Sequence, residues 1–372
     1  MFSYWEKESY FAKQQIIIIG AGFVGLWSAI ALAEQHPTYK ITILDKGILP
    51  TGASTKNAGF SCFGSPTELL NDAEMYGENT MWQMVEKRYK GIAKIHATIN
   101  PNLIQYSNSG GYECLDTEDT IKVNNKLAWL NKGIKYLTNK AETFTYCNNK
   151  LQLLGLQNFA GLISNSLEGA LQPALLLQQL TQKAQALGIQ IIYNSGVSTI
   201  ENNNNVVTLY TTNNIKLCTE RVLVCTNGFV STLLTQIAVM PCRGQVCITE
   251  PISNLALNGC FHYKEGYYYF RNVADRILIG GARNTDWQNE NTDELVVTDS
   301  IQNALQLFLQ KHFVTNTPIT IAMQWSGIMG FTNNHTPIVK EVTPNIYCAV
   351  GMNGMGVALA PIIADEVAAL MK

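Results

Sequence analysis

The stretch IIIIGAGFVGLWSAIALAEQHPTYKITILD, residues 16–45, decides the fold of this chain. It predicts a buried strand, a glycine turn, a helix and a second strand that ends on an acid. Gly20, Gly22 and Gly25 have the spacing of the dinucleotide-binding fingerprint. In that fingerprint the first glycine permits the tight turn, the second lets a pyrophosphate approach the backbone, and the third lets helix and strand pack closely. The sequence therefore predicts a βαβ unit that binds a nucleotide, and an ordinary βαβ unit is the alternative.

The acid at the end of the second strand indicates which nucleotide fits. Asp45 lies twenty residues after Gly25. A carboxylate at this point can accept hydrogen bonds from the adenosine ribose hydroxyls. No arginine is close to it in the sequence to pair with a 2′-phosphate, which argues against NADP.

The apolar run at 16–33 is nearly long enough to span a bilayer, so a membrane helix has to be weighed against buried core. Three glycines interrupt the run, and the charged leader MFSYWEKESYFAK precedes it. Both features argue against a transmembrane helix and against a signal peptide. We therefore expect buried core and no membrane span.

Composition narrows the class of protein. With 372 residues, 47% hydrophobic and 15% charged, the chain can bury a large core, and its length favours two compact units. A net charge of −2 and scattered Lys and Arg argue against nucleic acid as a partner. The nine cysteines form no CxxC pair and follow no secretory segment, so we expect a reduced, cytoplasmic protein. The five histidines lack zinc-ligand spacing, so we expect no metal site.

A second glycine turn occurs near the end of the chain. The segment NIYCAVGMNGMGVALAP, residues 345–361, predicts a strand, a turn with glycines at 351, 354 and 356, and a closing helix. Such a turn aims backbone N–H groups and the positive end of the helix dipole at an anionic or electron-rich group. If both turns belong to one sheet, they can hold a single extended ligand such as FAD. Close packing of the last helix is the alternative.

Taken together, these motifs resemble the FAD-dependent D-amino-acid oxidase superfamily, in its glycine oxidase, sarcosine oxidase and γ-glutamylputrescine oxidase branch. The resemblance covers nearly the whole chain in the same order. Besides the two glycine turns it rests on these segments: SYWEKESYF (3–11), GASTKNAGF (52–60), GALQP (169–173), VLVCTNG (222–228), PCRGQ (241–245), YYYFR (267–271), RILIGG (276–281) and WSGIMGFT (325–332).

The resemblance implies an α/β protein of the mixed α+β kind. It would combine a Rossmann-like FAD-binding domain, with a βαβ fold of the GR2 type, and an antiparallel-sheet substrate domain. We predict that the FAD-binding domain is discontinuous and comprises 1–90, 165–235 and 325–372. The substrate domain would comprise 91–164 and 236–324. Locally, we expect a helix over 169–187, a strand over 189–193 and another over 221–225 that returns to the nucleotide sheet.

The resemblance also implies the cofactor-binding residues. The ADP half of FAD would contact Gly20, Gly22, Gly25 and Asp45, and the pyrophosphate and flavin would contact Ser54, Thr55 and Asn57. Val197 would contact the adenine side through its backbone. The ribityl chain and the pyrimidine edge of the flavin would lie near Gly351, Asn353, Gly354, Met355 and Gly356. The same segments add Ala21, Phe23, Val24, Lys46, Ala58, Gly59, Thr226, Asn227, Gly228, Trp325, Gly327, Met352 and Val357.

Two departures from the family pattern bear on the chemistry. Met329 stands where amino-acid-oxidising relatives place a carboxylate-binding arginine and where sarcosine-oxidase-like relatives carry the cysteine that attaches the flavin. A thioether does neither job, so we expect non-covalent FAD and an amine or larger amino compound as substrate. Arg243, Arg271 or Arg283 remain able to bind a carboxylate. The lysine that activates dioxygen in some relatives has no clear counterpart in RILIGG, where Arg276 is the nearest cation.

The expected reaction is oxidation of a C–N bond, in which a hydride passes from the carbon next to the amine to flavin N5 and the imine is then hydrolysed. Strand alternation puts Tyr267, Tyr269 and Arg271 on one face, which we predict to face the substrate together with Met329. The alternative is that the tyrosines only pack the sheet. Trp325 either walls the pocket or seals the domain junction. Cys62 and Cys348 are expected to be inert buried thiols, and His335 a loop residue.

The electron acceptor is dioxygen or another molecule, and three further functions fit the same residues. A flavin dehydrogenase would pass electrons to a quinone or a carrier protein. Some family members trim carboxymethylaminomethyl groups on wobble uridines of tRNA, although the lack of a basic patch argues against that here. A non-catalytic sensor would bind NAD or FAD without turnover.

Overall fold

The computed structural model describes residues 2–203, 206–315 and 318–372. Its α-helices are α1 (Tyr4–Glu8), α2 (Phe23–Gln35), α3 (Ala53–Lys56), α4 (Pro66–Tyr76), α5 (Glu78–Thr98), α6 (Thr117–Asn124), α7 (Leu127–Thr138), α8 (Lys150–Leu153), α9 (Pro173–Ala186), α10 (Trp287–Glu290), α11 (Asp299–His312) and α12 (Gly356–Leu370). Short 3₁₀ segments lie at Pro101–Ile104, Asn227–Thr232 and Arg283–Thr285.

The strands form two large sheets and one small one. They are β1 (Gln14–Ile19), β2 (Ile41–Leu44), β3 (Phe60–Ser61), β4 (Gly111–Leu115), β5 (Phe144–Tyr146), β6 (Gly161–Asn165), β7 (Gly169–Ala170), β8 (Gln190–Ile192), β9 (Val197–Asn203), β10 (Val206–Thr211), β11 (Lys216–Val224), β12 (Met240–Thr249), β13 (Cys260–Tyr263), β14 (Tyr268–Val273), β15 (Arg276–Gly281), β16 (Ile321–Phe331), β17 (Ile338–Thr343) and β18 (Ile346–Val350).

The first sheet is the nucleotide sheet that the sequence predicts. Its strand order is β17-β18-β11-β1-β2-β8, and the hairpin of β9 and β10 pairs with β11. The five strands from β18 to β8 run parallel. Parallel strands end at one edge of a sheet, so the turns that follow β1 and β18 open on the same side.

The isoleucines of β1 alternate between the two faces of this sheet, and all are buried. Ile16 and Ile18 pack against helices α2, α9 and α12, while Ile17 and Ile19 pack against β10 and β11. The apolar run at 16–33 is therefore core, as expected. Among the residues that the structure describes, no helix is both long and apolar enough to cross a membrane.

The second sheet is mostly antiparallel and has the order β16-β12-β15-β14-β13-β4-β6-β5. Only β13 and β4 pair in parallel. Helix α11 covers one face of it, where Phe308 packs on Phe270 and stacks on Tyr268. The other face looks toward the first sheet. The mixed α/β fold expected from the sequence is confirmed.

Three details differ from the sequence-based expectations. Helix α9 begins at Pro173, because Gly169 and Ala170 form β7 against β3. The strand expected at 221–225 is the end of the longer β11, which begins at Lys216. Strand β16 pairs with β12 of the second sheet and is continuous across residue 325, the first residue of the predicted third segment of the FAD-binding domain. The division into two domains itself stays a prediction.

Candidate active site

A single cavity of about 580 Å³ connects the two sheets, and both glycine turns open into it. This volume lies within the range of small-molecule and cofactor sites. On one side it is lined by the turns that precede α2 and α12, and on the other by residues of β12, β14 and β16 and by the segments around them. The cavity therefore brings the predicted nucleotide site and the predicted substrate wall together.

The first glycine turn has the backbone that a bound pyrophosphate requires. Gly20 has φ +106°, a left-handed conformation that favours glycine. A Cβ on Gly25 would lie 1.9 Å from the carbonyl oxygen of Gly20, so only glycine lets α2 approach β1. The N-cap of α2 is Gly22, which has no side chain to cap the helix. Instead, the N–H of Phe23 donates to Ser54 Oγ at 2.9 Å, which leaves the positive helix end facing the cavity.

Asp45 follows β2 and holds the first turn in place. One carboxylate oxygen accepts from the N–H of Ala21 at 2.8 Å, and the other accepts from the N–H of Gly47 at 2.9 Å. A carboxylate has about four acceptor positions, so it can still receive the ribose hydroxyls. Asp45 therefore shapes the turn as well as facing the nucleotide site.

The segment that contains α3 is closed by its own polar side chains. Asn57 donates to the carbonyl oxygens of Ala53 and Ser54 and accepts from the N–H of Gly59. Thr55 Oγ1 donates to the carbonyl of Pro50 at 3.0 Å. These bonds fix the segment along the cavity, between the first turn and β16.

The second glycine turn is organised by two asparagines. Asn227 Oδ1 accepts from the N–H groups of Gly351 and Met352 at 3.0 and 3.3 Å. Asn353, at φ +49°, accepts from the N–H of Thr332 and donates to the carbonyl of Gly351. The turn is therefore fixed before any ligand binds, and it presents α12 to the cavity.

These features fit FAD. An extended dinucleotide needs two glycine-lined approaches that share one space, an acid after β2, and a glycine as the N-cap of α2. All three are present. Of the predicted cofactor residues, these line the cavity: Gly20, Gly22, Phe23, Val24, Asp45, Lys46, Ser54, Asn57, Ala58, Val197, Thr226, Asn227, Gly327, Met352, Asn353, Gly354, Met355, Gly356 and Val357. The others are not among the lining residues: Ala21, Gly25, Thr55, Gly59, Gly228, Trp325 and Gly351.

The four predicted catalytic residues do not all line the cavity. Tyr267, Tyr269 and Met329 line the cavity, and Arg271 does not. Strand β14 alternates as expected, since Tyr268 and Phe270 lie in the core beneath α11. Arg271, however, is not among the lining residues; it pairs across the strands with Cys260, whose thiol donates to the carbonyl of Gly169. A direct contact of Arg271 with a substrate stays a prediction.

The two cavity-lining tyrosines are hydrogen-bond donors. Loss of hydration raises the pKa of Tyr269 to about 12. Desolvation, and then the charge of Glu265, raise the pKa of Tyr267 as well. Both hydroxyls therefore stay protonated at neutral pH and are suited to orient a substrate rather than to act as bases.

Trp325 and the two singled-out cysteines contribute structure. The Trp325 indole donates to the carbonyl of Lys56 at 3.0 Å and packs against Ala58, Val246 and Leu278. It thus joins α3 to β16. Cys62 lines the cavity and Cys348 lies in the core. Burial raises the pKa of both thiols, that of Cys348 to about 11, so both disfavour the reactive thiolate.

The three candidate arginines have different partners. The Arg243 guanidinium is buried and contacts the Glu290 carboxylate through Nε and Nη2, the latter at 2.7 Å. Arg271 lies outside the cavity. Arg283 lines the cavity, and among the residues described by the structure no carboxylate lies within 4.0 Å of it. Arg283 is therefore the one of the three placed to meet a ligand.

Several charged and polar residues of the cavity were not expected from the sequence: Glu68, Asp72, Arg88, His262 and Glu265. Glu68 forms an ion pair with the buried Arg88 at 2.7 Å. His335, expected only as a loop residue, also lines the cavity, and its Nδ1 is 3.7 Å from Asp72. The one signal in the sequence was the spacing of Glu68 and Asp72, which puts two acids on one face of a helix. Within the described ranges, no group of His, Cys, Asp and Glu is arranged to hold a metal ion.

Comparisons with known proteins agree with this geometry. The family described as DAO, FAD dependent oxidoreductase, matches residues 15–370. A probable oxidoreductase, OrdL of Haemophilus influenzae, is 25% identical over 365 residues, which cover 92% of this chain and 79% of that protein. Glycine oxidase from Geobacillus kaustophilus superposes with a TM-score of 0.75 at 19% identity, covering 96% of this chain and 94% of the other. The FAD-bound L-α-glycerophosphate oxidase of Mycoplasma pneumoniae gives 0.75 at 16% identity, with coverages of 96% and 94%.

Proposed function

Because this chain belongs to the DAO family of FAD dependent oxidoreductases and has FAD as its cofactor, we propose that it oxidises the C–N bond of an amino compound. The observation that carries the proposal is the shared cavity. It joins both glycine turns to a wall that bears Tyr267, Tyr269 and Arg283. A fold in common with a glycine oxidase supports an amino compound as the substrate class.

The bound flavin would supply the redox chemistry by accepting a hydride from the carbon next to the amine nitrogen, and water would hydrolyse the imine that remains. The residues of the chain have to orient the substrate and exclude bulk water. Tyr267 and Tyr269 offer hydroxyl donors, while Phe60, Met329 and Phe331 give the same cavity apolar surface.

We also propose that the flavin is bound without a covalent link at position 329. Met329 pairs with Cys242 of β12 in the strand register and lies near Gly354 of the second glycine turn. Its thioether provides no nucleophile for attachment. Cys62 lines the cavity, but burial raises the pKa of its thiol, which opposes the thiolate that attachment needs.

The test is the visible spectrum of the purified protein, recorded before and after denaturation and during anaerobic titration. The titrants are secondary amines, polyamine derivatives and amino acids. We expect a flavin spectrum, release of the yellow chromophore into the supernatant on denaturation, and bleaching by one of these classes.

Two outcomes would contradict the proposal. A protein that cannot be loaded with FAD would overturn the cofactor site, and a loaded protein that no amino compound bleaches would overturn the reaction. Oxygen uptake measured beside reduction of an artificial dye then separates an oxidase from a dehydrogenase. Arg276, the cation nearest the position of the relatives' lysine, pairs with Glu250 at 3.4 Å and does not line the cavity, so we expect the dye to be reduced faster than oxygen.

A further inference from the structure

Arg283 is a buried cation that lines the cavity, and in the part of the chain that the structure describes no carboxylate lies within 4.0 Å of it, since the nearby Glu290 pairs with Arg243. It is 9% exposed, and its guanidinium lies over the rings of Trp287 and Phe331, at 4.1 and 4.6 Å from the ring centroids. Its long contact to Asn291 Oδ1, at 3.5 Å, involves a neutral acceptor. Of the other buried guanidiniums near this region, those of Arg88 and Arg243 each contact a glutamate at 2.7 Å. Arg271 is also buried and its Nε has no hydrogen-bond partner among the described residues, but Arg271 does not line the cavity.

The backbone fixes the position of this guanidinium. Strand β15 ends at Gly281, which has φ +110°, and Ala282 follows at φ +58°. A Cβ on Gly281 would lie 2.0 Å from the carbonyl oxygen of Tyr267. Alanine in the left-handed region is unfavourable and persists only where the surroundings impose it. The bend therefore places the Arg283 guanidinium against two aromatic rings, and its N–H groups can still donate to a ligand.

The chemistry of the missing partner follows from that environment. An arginine stays charged in proteins, and a buried charge is stable only when it is paired and hydrogen-bonded. The planar fork of a guanidinium matches a carboxylate through two parallel hydrogen bonds. The aromatic faces above and below accept the cation but do not supply a hydrogen-bond acceptor. A carboxylate of the substrate completes this site.

A second charged pole lies in the same cavity. Asp72 of α4 is 7% exposed, and Glu265 lies in the turn before β14. Phe331 and His335 link this pole to Arg283, whose guanidinium lies over the Phe331 ring at 4.6 Å. The Phe331 and His335 rings are 5.7 Å apart, and His335 Nδ1 is 3.7 Å from Asp72 Oδ1. The His335 imidazole carries a positive charge only when it is protonated. A cation on the substrate can therefore replace His335 as the partner of Asp72.

We propose that the substrate is a dibasic amino acid or an N-substituted derivative of one. Its carboxylate would bind Arg283, and its distal cation would bind at Asp72 and Glu265. This inference rests on the proposed function and narrows its substrate class. Simple amines leave Arg283 unpaired, and dicarboxylates place a negative charge against Asp72, so both classes are disfavoured.

The experiment compares matched ligands on the FAD-loaded enzyme. Lysine, norleucine and cadaverine share a similar chain, but norleucine lacks the distal cation and cadaverine lacks the carboxylate. Dissociation constants come from the perturbation of the bound flavin spectrum, with both enantiomers of each amino acid. We expect lysine to bind about tenfold or more tightly than either of the other two, the size of effect that a charge-assisted contact gives.

Two variants test the carboxylate site at Arg283 and the cation site at Asp72 separately. Asp72→Asn should abolish the preference for lysine over norleucine while norleucine binding stays nearly unchanged. Arg283→Gln should weaken both amino acids by about tenfold or more and leave cadaverine nearly unchanged. Arg276→Gln serves as the control, because that arginine pairs with Glu250 outside the cavity, and it should change neither preference.

Equal binding of lysine and norleucine by the unmodified enzyme, or tighter binding of a dicarboxylate such as adipate, would overturn the inference. So would an Arg283→Gln enzyme that retains full affinity for lysine. These outcomes are separate from failure of the proposed function. If apolar amino acids bleach the flavin without any preference for lysine, the reaction holds and the dibasic substrate does not. If lysine binds selectively and nothing bleaches the flavin, the proposed reaction fails while the two-pole site holds.

Discussion

Two neighbouring tyrosines on β14, one that lines the cavity and one that does not, test whether a single hydroxyl contributes to the reaction. Tyr269 lines the cavity, whereas Tyr268 stacks on Phe308 in the core. We predict that Tyr269→Phe slows anaerobic flavin reduction roughly fivefold to tenfold, since one neutral hydrogen bond contributes about 1 kcal/mol. Tyr268→Phe should leave that rate within about twofold. Stopped-flow absorbance of the flavin measures both.

An unchanged rate in the Tyr269→Phe enzyme would assign this hydroxyl to packing, which is the alternative raised by the sequence. The sequence could place Tyr267 and Tyr269 on one face, because strand alternation is a local property. It could not show that Arg271 is absent from the lining of the cavity, because the neighbours of Arg271 come from distant segments: Cys260 pairs with it and bonds to the carbonyl of Gly169. Nor could it single out Arg283, whose partners Trp287 and Phe331 come from other elements.

At the scale of the element, the turn between β1 and α2 depends on glycine at position 25, whereas the N-cap of α3 tolerates a side chain at Gly52. A Cβ at Gly25 would lie 1.9 Å from a backbone oxygen, which cannot move without opening the turn. We predict that Gly25→Ala yields protein that retains no FAD and unfolds at a lower temperature. Gly52, at φ −75° with no atom within 4 Å of an added Cβ, is the matched control.

The readouts are FAD content after gel filtration and thermal unfolding by circular dichroism. Gly52→Ala should fold with the thermal midpoint of the unmodified protein, within a few degrees. A Gly25→Ala protein that keeps its flavin would show that β1 and α2 are not packed as described.

Elements whose signals are local could be predicted, and those that depend on distant pairing could not. The unit of β1, α2 and β2 could be predicted because its strand, turn and helix follow one another within residues 16–45. The pairing of β16 with β12 could not be predicted, because β12 lies about eighty residues earlier in the chain. The sequence alone could not show that the two glycine turns lie at one edge of one sheet, because β11 lies between β1 and β18.

At the scale of the whole molecule, two buried glutamates tie the second sheet and its flanking strands to the segment 63–67. Glu113 of β4 accepts from the N–H of Thr67 at 3.0 Å, and Glu168, which precedes β7, accepts from the N–H of Phe63 at 2.8 Å. Burial raises the pKa of Glu113 to about 7 and that of Glu168 to about 8, from ordinary values near 4.5. Both carboxyls are therefore protonated in the folded protein at mildly acidic pH.

These two groups should make the fold less stable as the pH rises. Between about pH 4.5 and their folded pKa values, the folded state binds more protons than the unfolded chain, so the free energy of unfolding falls with pH. The fall should span about pH 4.5 to 8 and then level off. Glu168→Gln mimics the protonated form and keeps an acceptor oxygen for Phe63. We predict that it stabilises the protein by about 1 kcal/mol or more at pH 8.5 and confers no gain at pH 5.

The measurement is the urea midpoint of the FAD-loaded protein at both pH values. Glu118→Gln, at an exposed position of α6, removes one carboxylate without removing a buried charge and should show no such pH-dependent gain. A Glu168→Gln protein that is destabilised equally at both pH values would mean that Glu168 is ionised in the folded state throughout. In that case the N–H groups of Phe63 and Gly64 would outweigh the cost of burying the charge, and the junction between the two halves would be strongest at high pH rather than at low pH.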